Sequence, residues 1–314
     1  MNKNLLDITI PTYERKDELI NCLISLKQEI SILSDIEKKI IRVVICDNHS
    51  NYDVKLLADE LMMDISILCI KNHSNIGMYK NFMKCYSLAE AEYTWLLSDD
   101  DMIVEGCLKL LILDLLKYSP DCAFLEFTSK NSELESKEVL KDGQEFLKKV
   151  NIKPTLISAI IIKTIYIKQY NKFSENYFCH FYYTLNALSI GKSFLLYNKQ
   201  IIKSPYKNNS GGYAWFDVFV NELDEVITSY NNNFNKSTIR NLKKTILNRL
   251  IIPQFYALRM DKKSLNSFTK KKSKWYILKM IFLRYNSYPD FYIKLPLLTI
   301  LPKNLIRILK QLIK

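Results

Sequence analysis

The chain has 314 residues, 48% of them hydrophobic and 25% charged, with 45 Lys/Arg against 33 Asp/Glu and a net charge of +12. That length suits one large globular domain or two ordinary ones, and that composition excludes a disordered or collagen-like chain. Its seven cysteines (22, 46, 69, 85, 107, 122 and 179) form no Cys-x-x-Cys pair, which argues against zinc or disulfides, and its apolar runs are too short to span a bilayer. Residues 5–10 predict a strand that Pro11 ends. Apolar positions 19, 20, 23, 26, 30 and 33 recur at a helical period over residues 17–33. Further strands are expected at 40–46, 65–70, 93–97 and 122–127, with helices at 53–63, 76–89 and 104–118. Strands alternating with helices of this length imply βαβ units and an α/β fold with a mainly parallel sheet. Beyond residue 130 the reading is a charged loop and helix over 131–150, a strand at 155–162, an aromatic-rich helix at 177–188 and short strands at 194–197 and 201–204. From 236 onward helices dominate.

The chemistry gathers around Trp95-Leu96-Leu97-Ser98-Asp99-Asp100-Asp101, an apolar run that ends in three carboxylates. Side chains two apart on an extended segment point the same way, so Asp99 and Asp101 are expected to face one point. Like charges that close call for a cation, and hard oxygen ligands suit Mg²⁺ or Mn²⁺. A solvated acidic turn that caps the next helix is the plainer reading of the triplet alone. Three more polar segments leave the carboxyl ends of the expected strands: Pro11-Thr12-Tyr13-Glu14-Arg15, Asp47-Asn48-His49-Ser50-Asn51 and Asn72-His73-Ser74-Asn75-Ile76-Gly77. Ligands bind at those ends in open α/β sheets, and four such loops together suit a nucleotide pocket. Neither Gly-x-Gly-x-x-Gly nor a P-loop is present, so a metal, not a glycine cradle, is expected to hold phosphate.

The stretches Ile8–Arg15, Val44–Ser50, Asn75–Phe82 and Trp95–Asp101, in this order and spacing, resemble family 2 glycosyltransferases of the GT-A fold. The Asn-Ile-Gly and Lys-Asn-Phe pieces and the Asp triplet are most similar to the abequosyltransferase-like branch. The resemblance implies that Pro11, Tyr13 and Glu14 line the nucleotide, with Asp47 accepting a hydrogen bond from the base or ribose. It sets Lys80 near the nucleotide, Asp100 toward the ribose or sugar, and Asp99 and Asp101 at the metal, Asp101 the nearer. It also implies inversion at the anomeric carbon, a nucleotide-diphosphate sugar donor and a bacterial surface glycan as acceptor, such as O-antigen, capsule or lipooligosaccharide.

Transfer also needs a base for the acceptor hydroxyl. The usual Glu-Asp pair of the family is not evident, and three candidates stand open: Glu175, His180 and Asp217. A histidine on an apolar helix is more often a packed core residue, and Glu175 equally suits a first helical turn. The segment 205–215 holds a Gly pair among polar and aromatic residues, and Asn209, Ser210, Tyr213 and Trp215 are read as a lid or acceptor contact. An ordinary exposed loop is the competing reading.

The positive charge is unevenly spread. From 236 to 314, 19 Lys/Arg stand against two Asp, a net of +17; subtracting that from +12 leaves −5 for residues 1–235. The stretch 270–285 is basic and aromatic, and 305–314 places Leu305, Ile308, Leu309 and Leu312 on one face with Arg307, Lys310 and Lys314 off it. Such helices suit an anionic membrane surface; a helical subdomain with a solvated basic face is the alternative. The N-terminus has no apolar signal core, so the expected place is the cytoplasm, at the inner face of the cytoplasmic membrane and near a lipid-linked acceptor. The expected division is a catalytic domain over 1–220, with a nucleotide-sugar half (1–130) and an acceptor half (131–220), and a helical basic region over 221–314. A basic nucleic-acid-binding protein is a competing class, without a recognisable binding fold to support it. A catalytically inactive α/β scaffold is another.

Overall fold

A computed structural model describes residues 4–62, 65, 67–128, 137–170, 175–204, 214–260 and 273–308. The chain divides into two compact units, Met1–Lys207 and Asn208–Lys314. In order, the first unit runs β1 (Leu6–Thr12), α1 (Lys16–Ser31), α2 (Asp35–Lys39), β2 (Ile41–Asp47), α3 (Val54–Leu61), β3 (Ile67–Lys71) and α4 (Met78–Ser87). It continues through β4 (Tyr93–Leu96), β5 (Met102–Ile103), α5 (Cys107–Tyr118), β6 (Cys122–Glu126), β7 (Lys137–Leu140), α6 (Gly143–Val150), β8 (Ile160–Lys163), α7 (Thr164–Lys168), α8 (Cys179–Ile190), β9 (Phe194–Gln200) and β10 (Ile202–Lys203).

Eight strands form one sheet in the order β3-β2-β1-β4-β8-β6-β9-β7. The pairs β1·β2, β2·β3, β1·β4 and β6·β9 are parallel, while β8 runs against both its neighbours and β7 against β9. Six strands therefore share one direction, and the sheet is mostly parallel, as the βαβ alternation predicts. β1, β2 and β4 are buried almost throughout, which is why they read as near-continuous apolar runs and not as alternating ones. Asp7 is the charged residue on β1. Its carboxylate is fully buried and accepts two bonds from Arg42, at 2.9 and 2.7 Å, and two more from the amides of Glu90 and Ala91.

Three local expectations are corrected. Pro11 does not end β1: the strand continues to Thr12, with Pro11 paired to Cys46 of β2. The ladder to β4 stops at Thr9↔Leu96, so on that side the missing proline N–H removes no rung. Residues 155–162 are not one strand. Lys153–Thr155 and Ile157–Ala159 are 3-10 turns, the first opened by Pro154, and only Ile160–Lys163 pairs in the sheet. Within the charged stretch 131–150, Lys137–Leu140 pairs as the edge strand β7; residues 131–136 lie outside the described residues.

The second unit is helical: a wide-turned segment at Asp217–Glu222, then α9 (Leu223–Thr228), α10 (Lys236–Ile246), a second wide turn at Leu247–Ile251, α11 (Ile252–Arg259), α12 (Lys274–Tyr285), α13 (Pro289–Ile300) and α14 (Lys303–Ile308). Asp224 is buried and lies 2.7 Å from Lys243 Nζ and 3.6 Å from Arg284 Nη1. Burial of this carboxylate is thus offset by two cations from different helices.

Candidate active site

The parallel strands β1, β2, β3 and β4 all end on one edge of the sheet, and the four polar loops leave from it. The Asp triplet does not continue β4 as an extended segment. It turns at once, the amide of Asp101 donating to the Ser98 carbonyl at 3.2 Å, so strand alternation stops at Leu96. As a result, the three carboxylates are divided. Arg15 Nη1 donates to Asp99 Oδ1 at 3.1 Å and to Asp100 Oδ2 at 3.0 Å. Ser98 Oγ donates to Asp100 Oδ1 at 2.5 Å. Asp101 accepts instead from two hydroxyls, Ser158 Oγ at 2.5 Å and Ser204 Oγ.

Helix α1 holds the loop that carries the triplet. Cys22 Sγ lies 3.7 Å from the Ser98 carbonyl. Ser25 Oγ donates to the Ile103 carbonyl and accepts from the Ile103 amide. Glu29, buried, accepts from the amides of Gly106 and Leu108 at 2.8 and 2.9 Å. These are unpaired donors at the start of α5, where negative charge is favoured. All three aspartates are nearly excluded from solvent. Burial pushes the Asp99 carboxyl up to about 7, against the pull of Arg15 and with the push of Asp100. Burial also raises Asp101, against the Ser158 and Ser204 hydroxyls.

At the ends of β1 and β2 the rim is tied together. Asp47 Oδ1 accepts from the Ser50 amide at 2.8 Å, while its buried Oδ2 has no hydrogen bond. Lys71 Nζ stands 3.7 Å from that oxygen, close enough for an ion pair but too far for a hydrogen bond. Glu14 donates its amide to Ser50 Oγ and accepts from the Asn51 amide. Glu14 and His49 both hold positive φ, 54° and 74°, a conformation that costs side-chain-bearing residues energy and tends to cluster at binding sites. Tyr13 is exposed, and Pro11 is buried in β1.

Behind this rim four asparagines join the loops after β2 and β3 to α4. Asn72 Nδ2 donates to Asn48 Oδ1 at 3.1 Å and to Asn81 Oδ1 at 3.0 Å, and Lys84 Nζ donates to Asn72 Oδ1 at 2.9 Å. Asn48 Nδ2 donates to Asn75 Oδ1, and Asn81 Nδ2 to the Cys46 carbonyl. Gly77, at φ 85°, makes the turn into α4; a residue with a Cβ is strained there.

Of the remaining sequence candidates, Lys80 and Glu175 are brought together, Nζ to Oε1 at 3.3 Å, both largely exposed. His180 is buried on α8. Its Nε2 lies 2.9 Å from the Thr155 carbonyl, and its Nδ1 has no partner. Burial, opposed by that carbonyl, pulls its pKa down to about 4. Asp217 and Trp215 belong to the second unit, where Trp215 stacks on Phe219 with ring centroids 4.4 Å apart. Asn209, Ser210 and Tyr213 lie outside the described residues, as does 309–314 of the basic tail. In the described part of that tail Ile306 is buried and Leu305 is exposed.

Arg15, Ser158 and Ser204 were not singled out from sequence as partners of the triplet. Arg15 closes the Pro-Thr-Tyr-Glu-Arg stretch, and a cation at the end of the strand beside β4 is a legible signal. Ser204 has none. It meets Asp101 because β10 pairs antiparallel with β5, Lys203↔Met102, which carries the register on to Asp101; two-residue strands leave no pattern.

The model of the family described as "Glycosyl transferase family 2" matches residues 7–189, more than half of the chain and the whole of this site up to Glu175 and His180. The chain belongs to glycosyl transferase family 2. Abequosyltransferase RfbV of Salmonella typhimurium is 30% identical over 109 residues, which is 34% of this chain and 31% of that protein, so the alignment spans about a third of each. S. aureus TarS 1–349 superposes with a TM-score of 0.62 at 17% identity, over 91% of this chain and 83% of that one. Mannosyltransferase PcManGT from Pyrobaculum calidifontis, in complex with GDP-Man and Mn²⁺, gives a TM-score of 0.57 at 11% identity, over 96% and 87%. These neighbours share the α/β fold of the family 2 chain.

A divalent cation is implied by the fold family, and the donor set can be tested against it. Among the described residues no three His, Cys, Asp or Glu side chains converge as a metal cluster. Asp101 nevertheless fits a cation that draws other ligands from a diphosphate: it is a buried hard-oxygen donor held by hydroxyls alone. Asp99 is already bonded to Arg15.

Proposed function

We propose that this family 2 glycosyltransferase is an inverting enzyme that moves a sugar from a nucleotide-diphosphate donor to a bacterial surface glycan. The observation that carries the reading is the division of the triplet: Arg15 engages Asp99 and Asp100, while Asp101 stands apart with two serine hydroxyls. The nucleotide lies over the ends of β1 and β2, with Pro11, Tyr13 and Glu14 along it. Asp47 Oδ2, which lacks a hydrogen bond, accepts from the base or ribose. Asp100 faces the ribose or sugar, and Lys80 stands near the nucleotide. Asp101 would hold Mn²⁺ or Mg²⁺, which when bound would offset charge that develops on the departing diphosphate, and Asp99 would join it only by exchanging its bond to Arg15. Solved complexes of TarS with UDP-GlcNAc and of PcManGT with GDP-Man and Mn²⁺ support this class of donor.

For the acceptor, Glu175 is the base. It is exposed beside Lys80, whereas His180 is enclosed, and burial holds its imidazole neutral. The acceptor oxygen forms a bond to the anomeric carbon from the face opposite the diphosphate. The bond from that carbon to the diphosphate oxygen breaks with its electron pair, and the hydroxyl proton passes to Glu175. The acceptor is lipid-linked, and the basic second unit keeps the enzyme at the membrane surface; among the described residues no helix is long and apolar enough to cross a membrane.

The test is a thermal-shift panel of UDP, GDP, CDP and dTDP, with and without Mn²⁺. A ligand that binds only the folded state raises Tm. One nucleotide is expected to raise Tm in a metal-dependent way, and Asp101→Asn to abolish the metal dependence. A folded protein that shifts with none of the four refutes the donor site.

A further inference from the structure

Helix α13 is apolar on two opposite sides. Phe291, Leu295 and Leu298 face the interior of the second unit, while Ile293, Leu297 and Ile300, spaced i, i+4, i+7, face outward. Ile293 is 61% exposed and Ile300 78%. A helix that is apolar all round normally has a partner on each side. Helix α12 repeats the arrangement. It buries Ile277, Met280, Ile281 and Tyr285, and its opposite face carries Trp275, Lys279, Phe282 and Leu283, with Trp275 76% exposed. Phe282, at the edge of the outward face of α12, packs on the inward Phe291 of α13 with ring centroids 5.7 Å apart, so the two helices adjoin there.

The pair contains Lys274, Lys279, Arg284 and Lys294 against a single acid, Asp290. Arg284 lies against Asp224 and Glu225 and Lys294 against Asp290, while Lys279 is exposed on the outward face. We infer that the outward faces of α12 and α13 form one docking surface for an anionic phospholipid bilayer, into which they insert flat and shallow. The inference deepens the membrane reading above and moves the insertion site from the tail at 305–314 to α13. An aliphatic ridge with a tryptophan at one end and Lys279 beside it has the composition of an interfacial element: the ridge enters the acyl boundary, the indole sits at the headgroups and the Lys279 ammonium meets lipid phosphate. Each helix has 12 residues, about 18 Å of length. That is far short of a bilayer core of about 30 Å, so the helices lie in the plane.

The experiment is flotation of the full-length protein with phosphatidylcholine vesicles, with and without phosphatidylglycerol, alongside sedimentation velocity without lipid. The wild type is expected to float with the anionic vesicles and to lose binding in high salt. Ile293→Ser with Ile300→Ser replaces two exposed side chains and should weaken vesicle affinity about tenfold or more, with Tm unchanged. Lys279→Glu should weaken it only on anionic vesicles. Wild-type affinity in the double serine variant overturns the proposal. So does a dimer that this variant dissolves, since the face then belongs to a second copy. The nucleotide panel on the same preparations separates the two readings. Nucleotide shifts without vesicle binding overturn the membrane face alone. Flotation that the double variant abolishes upholds the face even where no nucleotide shifts Tm, a result that refutes only the donor site.

Discussion

His180 gives a sharp test of what is structural and what is catalytic in this site. Its ring is enclosed, with one nitrogen at the Thr155 carbonyl and the other without a partner, and its pKa falls from 6.5 to about 4. A histidine with a depressed pKa stabilises the fold fully above its unfolded value. That contribution is lost as pH falls through 6.5 toward 4, because the unfolded chain binds the proton that the folded one refuses. At 1.36 kcal/mol per pKa unit, the loss approaches about 3 kcal/mol across the window. His180→Gln retains a donor for the Thr155 carbonyl and removes the titration. Urea unfolding of both proteins from pH 7.5 to 4.5, followed through the buried Trp95 of the first unit, should show their stabilities converging or crossing as pH falls. The variant should keep most of its turnover, whereas Glu175→Gln should lose at least about a hundredfold in kcat, as removal of a general base does. Parallel stabilities between pH 6.5 and 4.5 would refute the enclosure of the imidazole. A dead His180→Gln with an active Glu175→Gln would exchange the two roles.

Two further outcomes concern the frame of the site. Arg15→Ala leaves Asp99 and Asp100 without their shared cation. Loss of a buried partner costs about 3–5 kcal/mol, and since the Arg15 side chain is 31% exposed, about 2 kcal/mol is expected in urea unfolding. Arg15→Lys should recover part of it, and wild-type stability in the alanine variant would show the bridge to be screened. Asn72→Ala removes three hydrogen bonds and leaves Asn81 Oδ1 without its donor, a cost of about 2–3 kcal/mol. Hydrogen exchange should quicken at the start of α4; unchanged exchange there would argue against the asparagines as the link between the loops.

Much of the sheet is legible in the chain. β1, β2 and β4 are runs of Ile, Val, Leu and Trp because neighbours cover both faces, and the helical period of α1 follows from Leu19, Leu23, Leu26 and Ile30 packing on them. The family, too, follows from four short stretches in order. What the sequence conceals is set by pairing at a distance. Ser158 meets Asp101 from a 3-10 turn where an apolar β-branched run suggested a strand. Ser204 meets it through a ribbon of two residues a side. The Asn residues of the loops read as turn formers, and nothing local reveals that Asn72 reaches both Asn48 and Asn81. The triplet shows the same limit: alternation along a strand predicts a shared direction for Asp99 and Asp101, but the backbone turns at Ser98 and sends them to different partners.

The asparagine links have a consequence for how the site tolerates its surroundings. Amides carry no net charge and do not titrate, so the bonds among Asn48, Asn72, Asn75 and Asn81 keep their strength in acid, in base and in concentrated salt. The carboxylates a few residues away do the opposite. The geometry of the rim is thereby uncoupled from its ionisation: protons, salt and a charged donor can change the potential over the strand ends while the outline that receives the nucleotide stays the same.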